Sequence, residues 1–116
     1  MFWKRKRECN QTSYKFEADF MSDPIWCNDC GVNLEIDNFP ISDKLQEELL
    51  EWISEYGNWI ELETDLLKEN GVKLEEWHNK KGLRLFQEVK KQLGGKYPIV
   101  FVPSKSAQLY NELENG

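Results

Sequence analysis

The sequence predicts an α+β domain, with helices packed on one face of a small, mainly antiparallel sheet. Two stretches, YKFEADF at 14–20 and VNLEI at 32–36, alternate apolar and polar residues at period two, as half-buried strands do. Between 42 and 93 apolar residues recur at helical spacing instead, and YPIVFVP at 97–103 is apolar on both faces. Strands outside and helices between give the order β-β-α-α-β, with a third helix if Gly57 divides the first helical stretch.

Tyr14, Phe16, Ala18 and Phe20 would face inward from the first strand, and Val32, Leu34 and Ile36 from the second. The two would pair as a hairpin, broken by SDP at 22–24 and by WCNDCG at 26–31. Ser42 before Asp43 is the expected cap of the first helix, because a hydroxyl accepts from an orphan amide and an acid complements the positive end of the dipole. Its apolar stripe is Leu45, Leu49, Trp52, Ile53, Tyr56 and Ile60, and Asn70 with Gly71 should end the segment. Leu74, Trp77, Leu85, Phe86, Val89 and Leu93 mark a further helix. Gly94 and Gly95 follow that helix rather than precede one, so they cap it and do not cradle phosphate. The expected organisation is a flexible basic arm at 1–12, a single α+β domain at 13–103, and a tail or short helix at 104–116.

The 116 residues, 40% hydrophobic and 31% charged, suit one soluble domain with a modest core. No apolar run is long enough to span a bilayer, and none follows the N-terminal charges as a secretion signal would, so a cytoplasmic location is expected. Three cysteines, an odd count, agree with a reducing compartment. The net charge is −6, yet outside the run Lys4, Arg5, Lys6 and Arg7 the chain sets 11 basic residues against 21 acidic ones. Such a body repels phosphate backbones and steers cationic surfaces inward, which makes nucleic acid a poor partner and a basic protein a good one. The basic run itself reads as a solvated arm.

Cys27 and Cys30 form a Cys-x-x-Cys-Gly turn, the shape that lets two thiolates converge on one tetrahedral ion while glycine takes the unusual backbone. Zinc needs four ligands, and a second knuckle is missing. Within one chain the other soft ligands are Cys9 and His78, so the candidate metal set is Cys9, Cys27, Cys30 and His78, with an Asp23 or Asp29 carboxylate as another source. A homodimer pooling two knuckles would also supply four thiolates. A redox couple would want the first cysteine at a helix N-terminus, whereas Gly31 leads into a strand pattern. A plain reduced turn is the remaining reading. A structural zinc ion is the one cofactor indicated.

His78 is the lone histidine, and Glu75 or Glu76 would orient it as a general base. No serine or cysteine nucleophile is tied to it by local pattern, and a helix-surface histidine is the commoner case, so no catalytic residue is assigned. Glu17, Asp19, Glu35 and Asp37 would share the outer face of the hairpin, where like charges repel unless a cation relieves them. Lys15 offsets them in part, and a basic partner would do so fully. On the last strand Val100 and Val102 alternate against Ile99 and Phe101, and one of these pairs would add an apolar strip beside them. Trp52 and Trp59 fit the core, leaving Trp3 and Trp26 as freer interface aromatics.

The stretches DPIWCNDCGVNLE, ISDKLQEELLEWISEYGNWI and HNKKGLRLFQEVKKQL together resemble a family of small uncharacterised proteins of Gram-positive bacteria, over a large part of the chain. That resemblance implies a bacterial, cytoplasmic protein and brings neither a known activity nor a functional residue. The function expected from the residues is a non-enzymatic, cytosolic protein-binding domain, of immunity or antitoxin type, that masks a basic partner with Glu17, Asp19, Glu35, Asp37 and Trp26. The alternative is a zinc-stabilised accessory module built on the Cys27–Cys30 knuckle.

Overall fold

Four strands form the sheet in the computed structural model, which describes residues 9–115; Trp3 and the basic run Lys4–Arg7 lie outside them. The strands β1 (Tyr14–Glu17), β2 (Ile25–Cys27), β3 (Asn33–Leu34) and β6 (Ile99–Val102) are ordered β3-β2-β1-β6. β1 runs antiparallel to β2 and β2 to β3, while β6 returns parallel to β1, with Phe16 opposite Phe101. A second hairpin, β4 (Ile60–Glu61) with β5 (Leu66–Leu67), lies apart from this sheet. The helices are α1 (Asp43–Ser54), α2 (Gly71–Leu93) and α3 (Ser106–Asn115).

The expected α+β build holds, with local corrections. The stretch 32–36 does not pair with β1: the three residues Ile25–Trp26–Cys27 take that place and pair with both neighbours. Three residues between Pro24 and the cysteine turn are too few to show a period. β1 also ends at Glu17, and Met21 adopts a left-handed φ of 55° that turns the chain back toward β2. Phe20, expected inside, is therefore exposed, as is Val32. Finally, the segment after Gly57 is the β4–β5 hairpin rather than a helix. Gly57, at φ 85°, permits the turn out of α1, and Asp65, at φ 58°, helps close the hairpin.

α1 begins as its sequence dictates, with the Ser42 hydroxyl accepting from the Leu45 amide at 3.1 Å. Leu45, Leu49, Trp52 and Ile53 form its buried stripe. Gly71 opens α2 instead of ending the segment before it, and Gly94, at φ 71°, closes it. The buried face of α2 is Glu75, His78, Gly82, Leu85, Phe86, Val89 and Leu93, so Trp77 is turned outward. Both long helices cover the sheet face that presents Phe16, Ile25 and Ile99. Trp52 is the centre of this layer: its ring stacks on Phe16 at 5.2 Å and on His78 at 4.6 Å. Among the described residues no helix is long and apolar enough to cross a membrane.

Candidate functional site

Cys27 is the last residue of β2, fully buried, and the turn after it is set by the Gly31 amide donating to the Cys27 carbonyl at 2.8 Å. Gly31 takes φ 81°, which a side chain rarely tolerates. Cys30 projects outward from the same turn. Asp29 does the long-range work. Its Oδ2 accepts from the Thr12 amide at 3.0 Å, the Thr12 hydroxyl at 3.1 Å and the Ser13 amide at 3.3 Å, and its Oδ1 from the Ser13 hydroxyl at 3.2 Å. These bonds, led by the Thr12 amide, hold the Asp29 carboxyl below the usual range. They also fix the chain just after Cys9, whose Sγ lies 3.6 Å from that of Cys27. The three sulfurs gather within 4.8 Å of one another.

The thiols are electrostatically unequal. Burial raises the Cys27 pKa, but the Cys30 and Asp29 backbone N–H groups and the neighbouring thiols outweigh it, so the net shift is downward. For Cys9 the Gln11 backbone N–H pulls downward, yet the Cys30 thiol, burial and Cys27 together push it up to about 11. Of the four expected metal ligands, Cys9, Cys27 and Cys30 come together and His78 does not. His78 is packed among Trp52, Trp59 and Tyr56. Nor is it on the helix surface: it is only 6% exposed, and its Nε2 has no hydrogen-bond partner among the described residues. Asp23 is engaged elsewhere, accepting from the Ile36 amide at 3.0 Å.

Burial, with the Lys81 ammonium adding to it, lowers the His78 pKa to about 4. Above the ordinary histidine pKa near 6.5 the ring is neutral in both folded and unfolded chains, and this group makes stability independent of pH. Between 6.5 and about 4 the unfolded chain takes up a proton that the folded chain refuses, so stability falls as pH falls, by up to about 3 kcal/mol. Urea midpoints of the wild type and His78→Gln at pH 7 and pH 4.5 test this. The acid loss should be smaller in the variant, and equal losses would show that His78 does not carry it.

The sheet face opposite the helices carries Lys15, Glu17, Trp26, Asn33, Val100 and Val102, paired as Lys15 with Trp26 and Val100, Trp26 with Asn33, and Glu17 with Val102. Lys15 and Glu17 form an ion pair at 3.2 Å, and the Trp26 indole donates to the Glu17 carbonyl at 2.9 Å. Glu17, Asp19 and Trp26 line a depression of about 320 Å³ together with Tyr56. Glu35 and Asp37 are exposed but lie past the end of β3, around a 3-10 turn at Ile36–Asn38, because β3 is only two residues long.

Sequence reasoning missed the neighbouring apolar depression of about 350 Å³, lined by Phe20, Met21, Leu50, Ile53 and Tyr56. Met21 is 99% exposed and Phe20 63%, and Phe20 meets Tyr56 edge-on at 4.7 Å. The FMSDP break was the available signal, since a strand that stops early strands its last aromatic outside.

These features define a class: a small α+β domain with helices on one face of its sheet and a charged, aromatic face left open by the described elements. Comparison with known families gives the particular one. Residues 12–104 match the family described as Serratia CdiI immunity protein-like, and the chain belongs to that family. Membership implies a protein partner, a toxin, and immunity proteins are in general non-catalytic. A search of curated proteins finds no match to the chain.

Proposed function

We propose that the protein is an immunity protein that neutralises a toxin by covering a basic surface of it. One observation carries the reading: the carboxylate-edged depression at Glu17 and Asp19 and the apolar one at Phe20 and Met21 adjoin through Tyr56. An exposed apolar patch rimmed by acids is what a basic protein surface with an apolar centre fits. Trp26 lines the first of these depressions, and Glu35 and Asp37, exposed beyond the end of β3, are assigned to the same partner surface. Glu17 is half neutralised by Lys15, which leaves Asp19 as the freer charge.

A protein captured from native lysate on the immobilised chain, identified, and shown to arrest growth when expressed alone provides the probe. Asp19→Lys should weaken its binding about tenfold, mostly through the association rate and most strongly at low salt. Met21→Asp should weaken it through faster dissociation. A captured toxin that binds both variants as it binds the wild type would overturn the surface. A captured partner with no toxicity would overturn the immunity reading itself. The alternative, a zinc-stabilised accessory module built on the Cys27–Cys30 knuckle, has less support because residues 12–104 match an immunity-protein family.

A further inference from the structure

We propose that Cys9, Cys27 and Cys30 constitute a structural zinc site, three thiolates holding the ion and a water molecule filling its fourth position. The geometry is close to what the ion demands. Thiolates at about 2.3 Å from a tetrahedral zinc lie about 3.8 Å apart, and Cys9 and Cys27 are already at 3.6 Å with all three sulfurs inside 4.8 Å. The three come from two parts of the chain that the sequence separates by 18 residues, so their meeting needs a dedicated device. That device is Asp29, whose carboxylate accepts four hydrogen bonds from Thr12 and Ser13. A carboxylate so engaged is a positioning group and not the fourth ligand. The Asn28 amide, donating to the Ser13 carbonyl at 2.9 Å, clasps the same two segments.

Cys30 is exposed and Cys9 half-buried, so the cluster is open to solvent on one side and water reaches the fourth position. Zinc binding forms three S–Zn bonds and releases the thiol protons to buffer, with no oxidant or reductant involved. The ion would join the segment at Cys9 to the turn after β2. Gly31 in that turn also lines the depression at Glu17 and Asp19, so the metal would stiffen one wall of the partner surface. The site stands whether or not that surface binds a toxin.

The test is titration of the full-length, fully reduced, metal-free protein with Co²⁺ and then Zn²⁺. One Co²⁺ per chain, with sulfur-to-cobalt charge-transfer bands and the visible bands of a tetrahedral ion, should appear and be bleached by Zn²⁺. Cys9→Ser and Cys30→Ser lie away from the core and should each weaken binding at least tenfold. Asp29→Ala keeps every thiol and should weaken binding about 10- to 100-fold, the range for lost positioning groups. No bands at saturating Co²⁺ while three free thiols titrate would overturn the site. So would binding that Cys9→Ser leaves unchanged. Should a cysteine variant not fold, the wild-type stoichiometry and Asp29→Ala still decide.

Discussion

Trp52→Ala is expected to cost the domain about 4 kcal/mol, the middle of the range for truncating an aromatic in a closed core. The indole is fully enclosed and fixed on three sides. Phe16 lies parallel to it at 5.2 Å and His78 at 4.6 Å, and its Nε1–H donates to the His78 carbonyl at 2.9 Å. On a further side is Gly82, where an added Cβ would come within 2.4 Å of the indole Cζ2. Glycine in the middle of α2 costs about 1 kcal/mol of helix propensity, so its presence there measures how closely α2 must approach Trp52. Truncation would open a cavity that neither rigid ring neighbour can fill. Urea unfolding of wild type and variant reads the difference. A loss below about 1.5 kcal/mol would mean that the layer collapses to fill the gap and that Trp52 is not its centre.

This packing explains what could be read in the sequence and what could not. The stripe of α1 was legible as far as the helix runs, because its cap is explicit and Leu45, Leu49, Trp52 and Ile53 are buried at helical spacing; Tyr56 and Ile60, expected to continue it, lie beyond Ser54 and are only partly buried. The inward face of α2 was legible in its second half, where Leu85, Phe86, Val89 and Leu93 are buried, and was misjudged by residue type in its first. Apolarity favoured Leu74 and Trp77, whereas the buried turn uses Glu75, His78 and Gly82, polar or small residues whose reasons for burial lie on α1 and α3. A single-sequence period cannot see partners supplied from 25 or more residues away. β2 was hidden for the opposite reason, since three residues carry no period at all. At the thiols, the chemistry of each candidate was legible from its type, and Cys9 joins Cys27 and Cys30. His78 failed as a ligand because a ring held between two tryptophans has no freedom to reach them. The acidic surface was legible as composition, but its apolar neighbour depended on where β1 stops.

Glu75→Ala should cost about 3 kcal/mol, and the damage should be concentrated in α3. Glu75 is 1% exposed, which would be expensive for a carboxylate left without partners. Its Oε2 instead accepts from the Ser104 hydroxyl at 2.6 Å, the Ala107 amide at 2.9 Å and the Ser106 hydroxyl at 3.4 Å. The Ala107 amide belongs to the first turn of α3, so a carboxylate from α2 serves as the acceptor for an orphan helix donor. Around it, Asn79 exchanges two hydrogen bonds with the Ser104 backbone, at 3.0 and 2.9 Å, and the Trp59 indole donates to the Ser106 hydroxyl at 2.9 Å. Removing the carboxylate strands one buried and two partly buried donors at once, and bonds to a charged acceptor are worth about 1.5–3 kcal/mol each before relaxation. Glu75→Gln keeps an oxygen acceptor without the charge and should fall between wild type and alanine. Hydrogen exchange would locate the loss: the amides of α3 should lose protection in Glu75→Ala while those of α1 keep theirs. If α3 stays as protected as in the wild type, the carboxylate is not what docks it, and Asn79 with Trp59 suffices.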